Sequence, residues 1–346
     1  MSLCNYIRWF YLLGRDNLYI YYGRRVVYVI QEMTDPERQR PSMAFFLGTK
    51  SKDAVLRQIF PNNNIRRERH DGIVNLRLDS STISSELPLL FADADAQASV
   101  PQRLGTMTCH KNTTVSLAWP SPHSKSALHT LYARLVALFS HVIYIFANDF
   151  SGLDNVTEFL TEWIRAGNPS SLPNSLRPRV IVVVREEEVA THSVLAVEGL
   201  RNKLQNDHDT RISAFSSISI MYLAGEHVSP LARHRRLKEL LLSEIELSRI
   251  ERIEQRAHFT AIHFEAFFRQ AINYVTSSIT EPFDFVQKTR MLNEIGEDYR
   301  SYLHAFLSLG KDYFLSYESL TSYLASTILM DAYLLRMHSK LSAILR

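Results

Sequence analysis

Four short stretches carry residue types that handle phosphates and cations. Gly48-Thr49-Lys50-Ser51-Lys52-Asp53 follows the apolar run Met43–Leu47 and opens the amphipathic segment Ser51–Phe60. A glycine at a strand end, then lysines and a serine at a helix start, is the layout of a phosphate cradle. Backbone N–H groups at the helix start face the anion, and a lysine adds charge. Asp93 and Asp95 follow the apolar run Leu87–Phe91. An acid ending a buried strand is where phosphate-transferring enzymes hold Mg²⁺. Asn148 and Asp149 follow Val142–Ala147, and Arg185 with Glu186-Glu187-Glu188 follows Val180–Val184. Ligands of open α/β sheets sit at such strand ends. The spacing therefore nominates Gly48, Lys50, Ser51, Lys52, Asn148 and Asp149 as phosphate or nucleotide contacts. Asp93 and Asp95 are the metal positions, and the ligand is GTP or ATP with magnesium. No residue is assigned a catalytic role.

The match to the P-loop pattern G-x-x-x-x-G-K-[ST] is incomplete. Gly48 has no second glycine. Lys52 serves as the motif lysine only in a shortened loop, and Asp53 then replaces the metal-binding hydroxyl. An acid there repels phosphate unless it holds a cation. No Asn-Lys-x-Asp guanine motif follows Val184. These departures argue against hydrolysis and leave two main readings. One is a degenerate GTPase-like regulatory switch with a helical lever. The other is a non-enzymatic interaction module that keeps the fold without the ligand.

Other chemistry has less support. G-x-S-x-G and G-x-G-x-x-G are both absent, so a serine hydrolase or a dinucleotide fold has no motif. A hydrolase with an unrecognised dyad would rest on scattered serines and histidines alone. Cys109-His110 has no partner at metal-ligand spacing. His258 and His263 lie five apart in a helical segment and do not share a face; His263, between Ile262 and Phe264, reads as a packed histidine. Arg66-Arg67-Glu68-Arg69-His70 and Arg233-His234-Arg235-Arg236 read as solvated faces. Glu186-Glu187-Glu188 reads as an acidic first helical turn.

The elements that must position these residues are legible from periodicity. Strands are expected at Met43–Leu47, Ile73–Leu78, Leu87–Phe91, Thr114–Trp119, Val142–Ala147, Val180–Val184 and Ile218–Leu223. The second and third are close enough for an antiparallel hairpin. Helices are expected at Ser51–Phe60, Ala127–Phe139, Leu153–Trp163 and Ala190–Leu204, then at Phe259–Val275, Phe285–Leu309 and Tyr317–Leu345. The alternation predicts an α/β domain with a mainly parallel sheet of P-loop NTPase type, followed by an all-helical region. The expected divisions are an aromatic extension and linker at 1–42, the α/β domain at 43–227 and the helical domain at 228–346. A protein partner is expected on the helical region.

Composition excludes several classes. Of 346 residues, 46% are hydrophobic and 22% charged, which excludes a disordered or collagen-like chain. Lys plus Arg is 39 and Asp plus Glu is 36, a net charge of +3, too weak a bias to argue for nucleic acid. The two cysteines permit at most one disulfide, and the chain is read as cytoplasmic. Residues 1–30 are rich in aromatics, but the longest uncharged run there is Trp9–Gly14. A spanning helix needs about 20 apolar residues, and a signal peptide needs an apolar run with a cleavage site. This segment reads as a local hairpin or an aberrant start of the gene model.

Several blocks resemble a known family. Leu90-Phe91-Ala92-Asp93-Ala94-Asp95 resembles a stretch in large fungal proteins that carry a patatin-like phospholipase domain further downstream. Leu138–Ile143, Phe146–Leu153, Ser170–Pro173 with Arg177–Ile181, His258-Phe259 with Phe264–Arg269, and Met330-Asp331-Ala332-Tyr333 are similar to later blocks. The resemblance spans about 43–338. It implies an uncharacterised P-loop-NTPase-like domain plus helices ahead of the lipase. Lys50 and Lys52 would then be the remnant of the phosphate loop, and Asp93 of the metal position. The lipase elbow is missing, and Asp71-Gly72 is followed by Ile73 rather than Gly or Ala. The resemblance therefore implies a stand-alone or truncated amino-terminal module without phospholipase activity.

Overall fold

A computed structural model describes residues 7–14, 17–63, 65, 72–95, 100, 112–119, 124–186, 214–225, 227–255, 257–285, 287–288, 299–313 and 316–332. They divide into two compact units, 1–283 and 284–346.

The first unit is built on a nine-stranded sheet. Its strands are β1 (Arg8–Leu13), β2 (Tyr19–Tyr22), β3 (Ser42–Leu47), β4 (Ile73–Leu78), β5 (Leu89–Ala94), β6 (Thr113–Ser116), β7 (Val142–Phe146), β8 (Arg179–Arg185) and β9 (Ser217–Leu223). They lie in the order β6-β2-β1-β4-β5-β3-β7-β8-β9. The five strands from β5 to β9 run parallel, and β4, β1, β2 and β6 continue the sheet by antiparallel pairing. The sheet is thus mixed rather than mainly parallel, because four antiparallel strands extend one edge. β4 and β5 do form the expected antiparallel pair, with Asn75 opposite Asp93.

The central strands are apolar throughout because helices cover both faces. On one face lie α2 (Lys50–Ile59) and α5 (Pro230–Glu254). Val55, Leu56 and Ile59 of α2, with Leu237, Leu241 and Ile245 of α5, pack on Phe46, Phe91, Tyr144 and Val183. The spacing of each triplet puts its members on one helical stripe. The other face carries α1 (Arg25–Gln31), α3 (Ser124–Leu131) and α6 (Ala261–Ser277), with α4 (Leu153–Arg165) beside α3. There Trp9 packs among Phe139, Phe264 and Phe268, with ring centroids 5.2–6.3 Å apart. α3 runs on through a π turn at Tyr132–Val136. The turn carries the buried Arg134, whose guanidinium donates to the carbonyls of Asn168, Ile279 and Glu281 and to the Tyr274 hydroxyl.

α5 is also tied to the amino-terminal edge of the parallel strands. Arg249 donates to Ser42 Oγ at 2.7 Å and to the Leu87 carbonyl at 3.0 Å. Arg252 donates to the carbonyls of Ser140 at 3.2 Å and Leu176 at 3.0 Å. Arg179 of β8 pairs with Glu244 and Glu251 of α5 at 3.1 and 2.9 Å.

The second unit holds α7 (Tyr299–Asp312) and α8 (Tyr317–Ala332). A Cβ on Gly310 would stand 2.2 Å from a Leu320 methyl, so glycine permits this close approach. No described helix is long and apolar enough to cross a membrane. The expected helix at Ala190–Leu204, Cys109-His110 and the basic run Arg66–His70 lie outside the described residues.

Candidate functional site: a backbone nest filled by Asp149

Three strands deliver the site. β3 lies between β5 and β7, so the loop after Leu47 faces both Asp93 on β5 and the turn after Phe146. That turn is a 3₁₀ segment, Ala147–Phe150, closed by Ser151 and Gly152. Gly152, at φ 116°, has a backbone conformation that side-chain-bearing residues rarely adopt, and it leads directly into α4. Asn155 fixes the turn by donating to the Phe150 carbonyl at 2.8 Å.

The turn presents the Asp149 carboxylate to the start of α2. Its Oδ2 accepts the N–H groups of Thr49 at 2.7 Å and Lys52 at 3.0 Å, and its Oδ1 accepts that of Ser51 at 3.0 Å. These belong to the donors that a helix start leaves without intrahelical partners. A carboxylate is stabilised there by charge-assisted hydrogen bonds and by the helix dipole. The fit is close: a Cβ on Gly48 would stand 2.6 Å from Asp149 Oδ2 and 2.9 Å from Lys52 Cβ. The nest that would cradle an external anion therefore holds an internal one.

The Lys52 side chain turns away from the nest. Its ammonium is buried, 3.3 Å from Asp93 Oδ2, 3.2 Å from the Ala94 carbonyl and 3.5 Å from Asp53. Asp93 is also ion-paired with Arg77 and accepts from Asn75 Nδ2 at 3.2 Å. Burial alone would raise the Asp93 pKa, but Arg77 and Lys52 overcome it and hold the group at about 2. Asp53 shifts the other way, raised chiefly by burial. The result is a compact buried network in which each charge has an opposite neighbour.

The structure thus brings together Gly48, Ser51, Lys52, Asp149 and Asp93 from the expected set. Lys50 is exposed. Asp95 is half-buried, its carbonyl accepting from the Tyr132 hydroxyl at 3.4 Å, and Asn148 is half-buried within the turn. Among the described residues no group of three His, Cys, Asp or Glu side chains is placed to hold a metal. The sequence reading missed Asn75 and Arg77. Both stand at polar positions of an alternating strand, yet Arg77 is buried against Asp93. The available signal was an arginine inside a strand that can pair with an aspartate-bearing one.

Other expectations resolve as follows. His263 is buried and caps α6, its Nδ1 3.0 Å from Thr260 Oγ1. His258 is not on the same helix, since α6 begins at Ala261. In the second basic run, Arg235 and Arg236 are exposed, but His234 is buried and Arg233 donates to the Gly225 carbonyl at 2.8 Å. The run is amphipathic because it lies in the first turns of α5. Compared with protein-family models and with curated proteins, the chain matches none.

Proposed function

We propose that this chain is a non-enzymatic interaction module on a P-loop-like α/β scaffold, and that it works without GTP, ATP or magnesium. One observation carries the reading: the Asp149 carboxylate occupies the N–H nest between Gly48 and Lys52. An entering phosphate would have to displace a carboxylate already held by three N–H donors. It would also meet a lysine committed to Asp93. The relation to the amino-terminal region of fungal patatin-associated proteins is part of the same proposal.

The helices offer surface for a protein partner. On α5, Leu242, Leu247, Ile250 and Ile253 are each more than 40% exposed. Within the second unit, Tyr302, Leu309, Tyr313, Tyr317 and Tyr323 are exposed as well. Exposed apolar groups at this density are a mark of interaction faces.

The test is a thermal-shift titration with GTP, ATP and their diphosphates, with and without Mg²⁺. A ligand that binds only the folded state adds about 2.7 kcal/mol at 100 times its dissociation constant. The expected result is no shift at millimolar nucleotide. A Mg²⁺-dependent shift that Lys52→Ala abolishes would overturn the proposal and restore the nucleotide switch.

A further inference from the structure

The face of α5 turned away from the sheet is apolar as well. Leu242, Leu247, Ile250 and Ile253 are each more than 40% exposed. On an ideal helix they fall within about 140° of arc, opposite the Leu237, Leu241 and Ile245 stripe that packs on the sheet. The helix is therefore apolar on two sides, a pattern that belongs to helices covered on both. It is 25 residues long, or about 37 Å at the usual rise.

The charges on this outer face are ordered. Arg235 and Arg236 stand exposed at the amino-terminal end, with the half-buried Lys238 behind them, and Glu254 stands exposed at the carboxyl-terminal end. Between them, Glu239 pairs with Arg235 at 3.2 Å and Glu246 with Arg249 at 3.3 Å. The remaining charges turn elsewhere. Glu244 and Glu251 meet Arg179, Arg252 meets the Ser140 and Leu176 carbonyls, and Arg233 meets the Gly225 carbonyl. Basic first and acidic last is the reverse of the order that the helix dipole favours. A second such helix laid antiparallel accounts for it, because each basic end then lies beside an acidic one.

We propose that α5 pairs antiparallel with α5 of a second copy of this chain, making a homodimer. This pairing rests on the reading of the chain as an interaction module, and it names the partner for this face. With the two stripes overlapped about a two-fold axis level with Ile245, Arg236 of one copy comes beside Glu254 of the other. Leu242 then lies among Leu247 and Ile250 of the second copy. The contact uses the same patch on both copies, so association closes at the dimer. A single helix pair is a small interface, and interfaces below about 1,200 Å² associate weakly, so the dimer forms at micromolar concentration.

The test is sedimentation equilibrium of the full chain across micromolar concentrations. The expected result is a monomer–dimer equilibrium. Ile250→Glu, at an exposed position where a substitution leaves the fold intact, should weaken it by at least about tenfold, with circular dichroism and Tm unchanged. Arg236→Glu and Glu254→Arg should each weaken it by about three- to tenfold, and the chain carrying both changes should recover wild-type affinity. That recovery is specific to the antiparallel arrangement, since in a parallel pair Arg236 would face Arg236. A monomer at every concentration overturns the proposal and leaves the face to a partner of another kind. A dimer indifferent to Ile250→Glu overturns it as well, and so does failure of the doubly changed chain to recover. None of these outcomes removes the interaction-module reading, which falls instead to Mg²⁺-dependent nucleotide binding.

Discussion

Lys52 serves two carboxylates at once: its backbone N–H donates to Asp149 at 3.0 Å, and its ammonium meets Asp93 at 3.3 Å. The first contact closes the nest and the second removes the cation an incoming phosphate would use. Both ends of one residue are thereby committed inside the protein.

Asp149→Ala should therefore lower stability by roughly 3 kcal/mol, since hydrogen bonds to a charged group contribute about 1.5–3 kcal/mol each and are not additive. The checking measurement is urea unfolding with and without sulfate or phosphate. Added oxyanion should recover part of the loss in Asp149→Ala by entering the vacated nest. An Asp149→Ala protein as stable as wild type would show that the carboxylate contributes nothing.

Gly48→Ala tests the same contact from the other side. The added methyl would meet Asp149 Oδ2 at 2.6 Å and Lys52 Cβ at 2.9 Å, and overpacking of this kind costs about 1–3 kcal/mol. In the Asp149→Ala background the penalty should shrink, because one of the two clashing atoms is gone. A double-mutant cycle with no coupling would count against a close fit.

Asp93→Asn should be more damaging than its exposure suggests. It leaves the buried Lys52 and Arg77 without their shared carboxylate, and breaking a buried pair costs about 3–5 kcal/mol. Guanidinium unfolding of the variant measures this directly. Replacing Lys52 by Met in the same background should recover part of the loss, since one stranded charge is then removed.

Acid should destabilise the protein through His258. Its folded pKa is about 3, lowered by burial and by Arg252, Arg249 and Arg40, against about 6.5 in an unfolded chain. Between these values the unfolded state binds a proton that the folded state refuses. Stability therefore falls as pH drops from about 6.5 toward 3, by roughly 1.4 kcal/mol per unit for this one group. His141, also lowered by burial and Arg252, adds in the same direction. Asp93 adds a further loss only as pH falls through its unfolded value of about 4 toward 2. Denaturant midpoints at pH 7, 6 and 5 in chloride buffer should show a steep slope that His258→Gln reduces.

The parallel half of the sheet was legible because strands buried on both faces are apolar throughout, as at Val142–Phe146 and Val180–Val184. The antiparallel extension was legible only in part: the β4 strand with its antiparallel pairing to β5 and a strand near Thr114 were expected, but the placing of β1 and β2 inside the sheet was not. In β1 the aromatics Trp9, Phe10 and Tyr11 are consecutive, so no alternation marks the strand, and it is covered on both faces. Arg8 and Arg25 looked like interruptions of an apolar segment but are both buried, Arg25 Nε donating to the Leu76 carbonyl at 2.8 Å. For the site, sequence order placed Gly48, Asp93 and Asp149 at strand ends. It gave no sign that Asp149 fills the cradle, because that depends on a turn about a hundred residues from the donors it satisfies.

The anchoring of Arg249 to Ser42 spans 207 residues. During synthesis, β3 leaves the ribosome long before α5 exists to cover its face. At about 5–20 residues per second, that interval is roughly 10–40 s. From the emergence of Tyr144 onward, the surface bearing Phe46, Phe91 and Tyr144 lacks the Leu237, Leu241 and Ile245 stripe that later seals it. The nascent chain therefore presents an apolar sheet face to the cell for the stretch of synthesis that separates Tyr144 from the α5 stripe. Its yield in a host should depend on chaperone capacity more steeply than the stability of the finished fold would indicate.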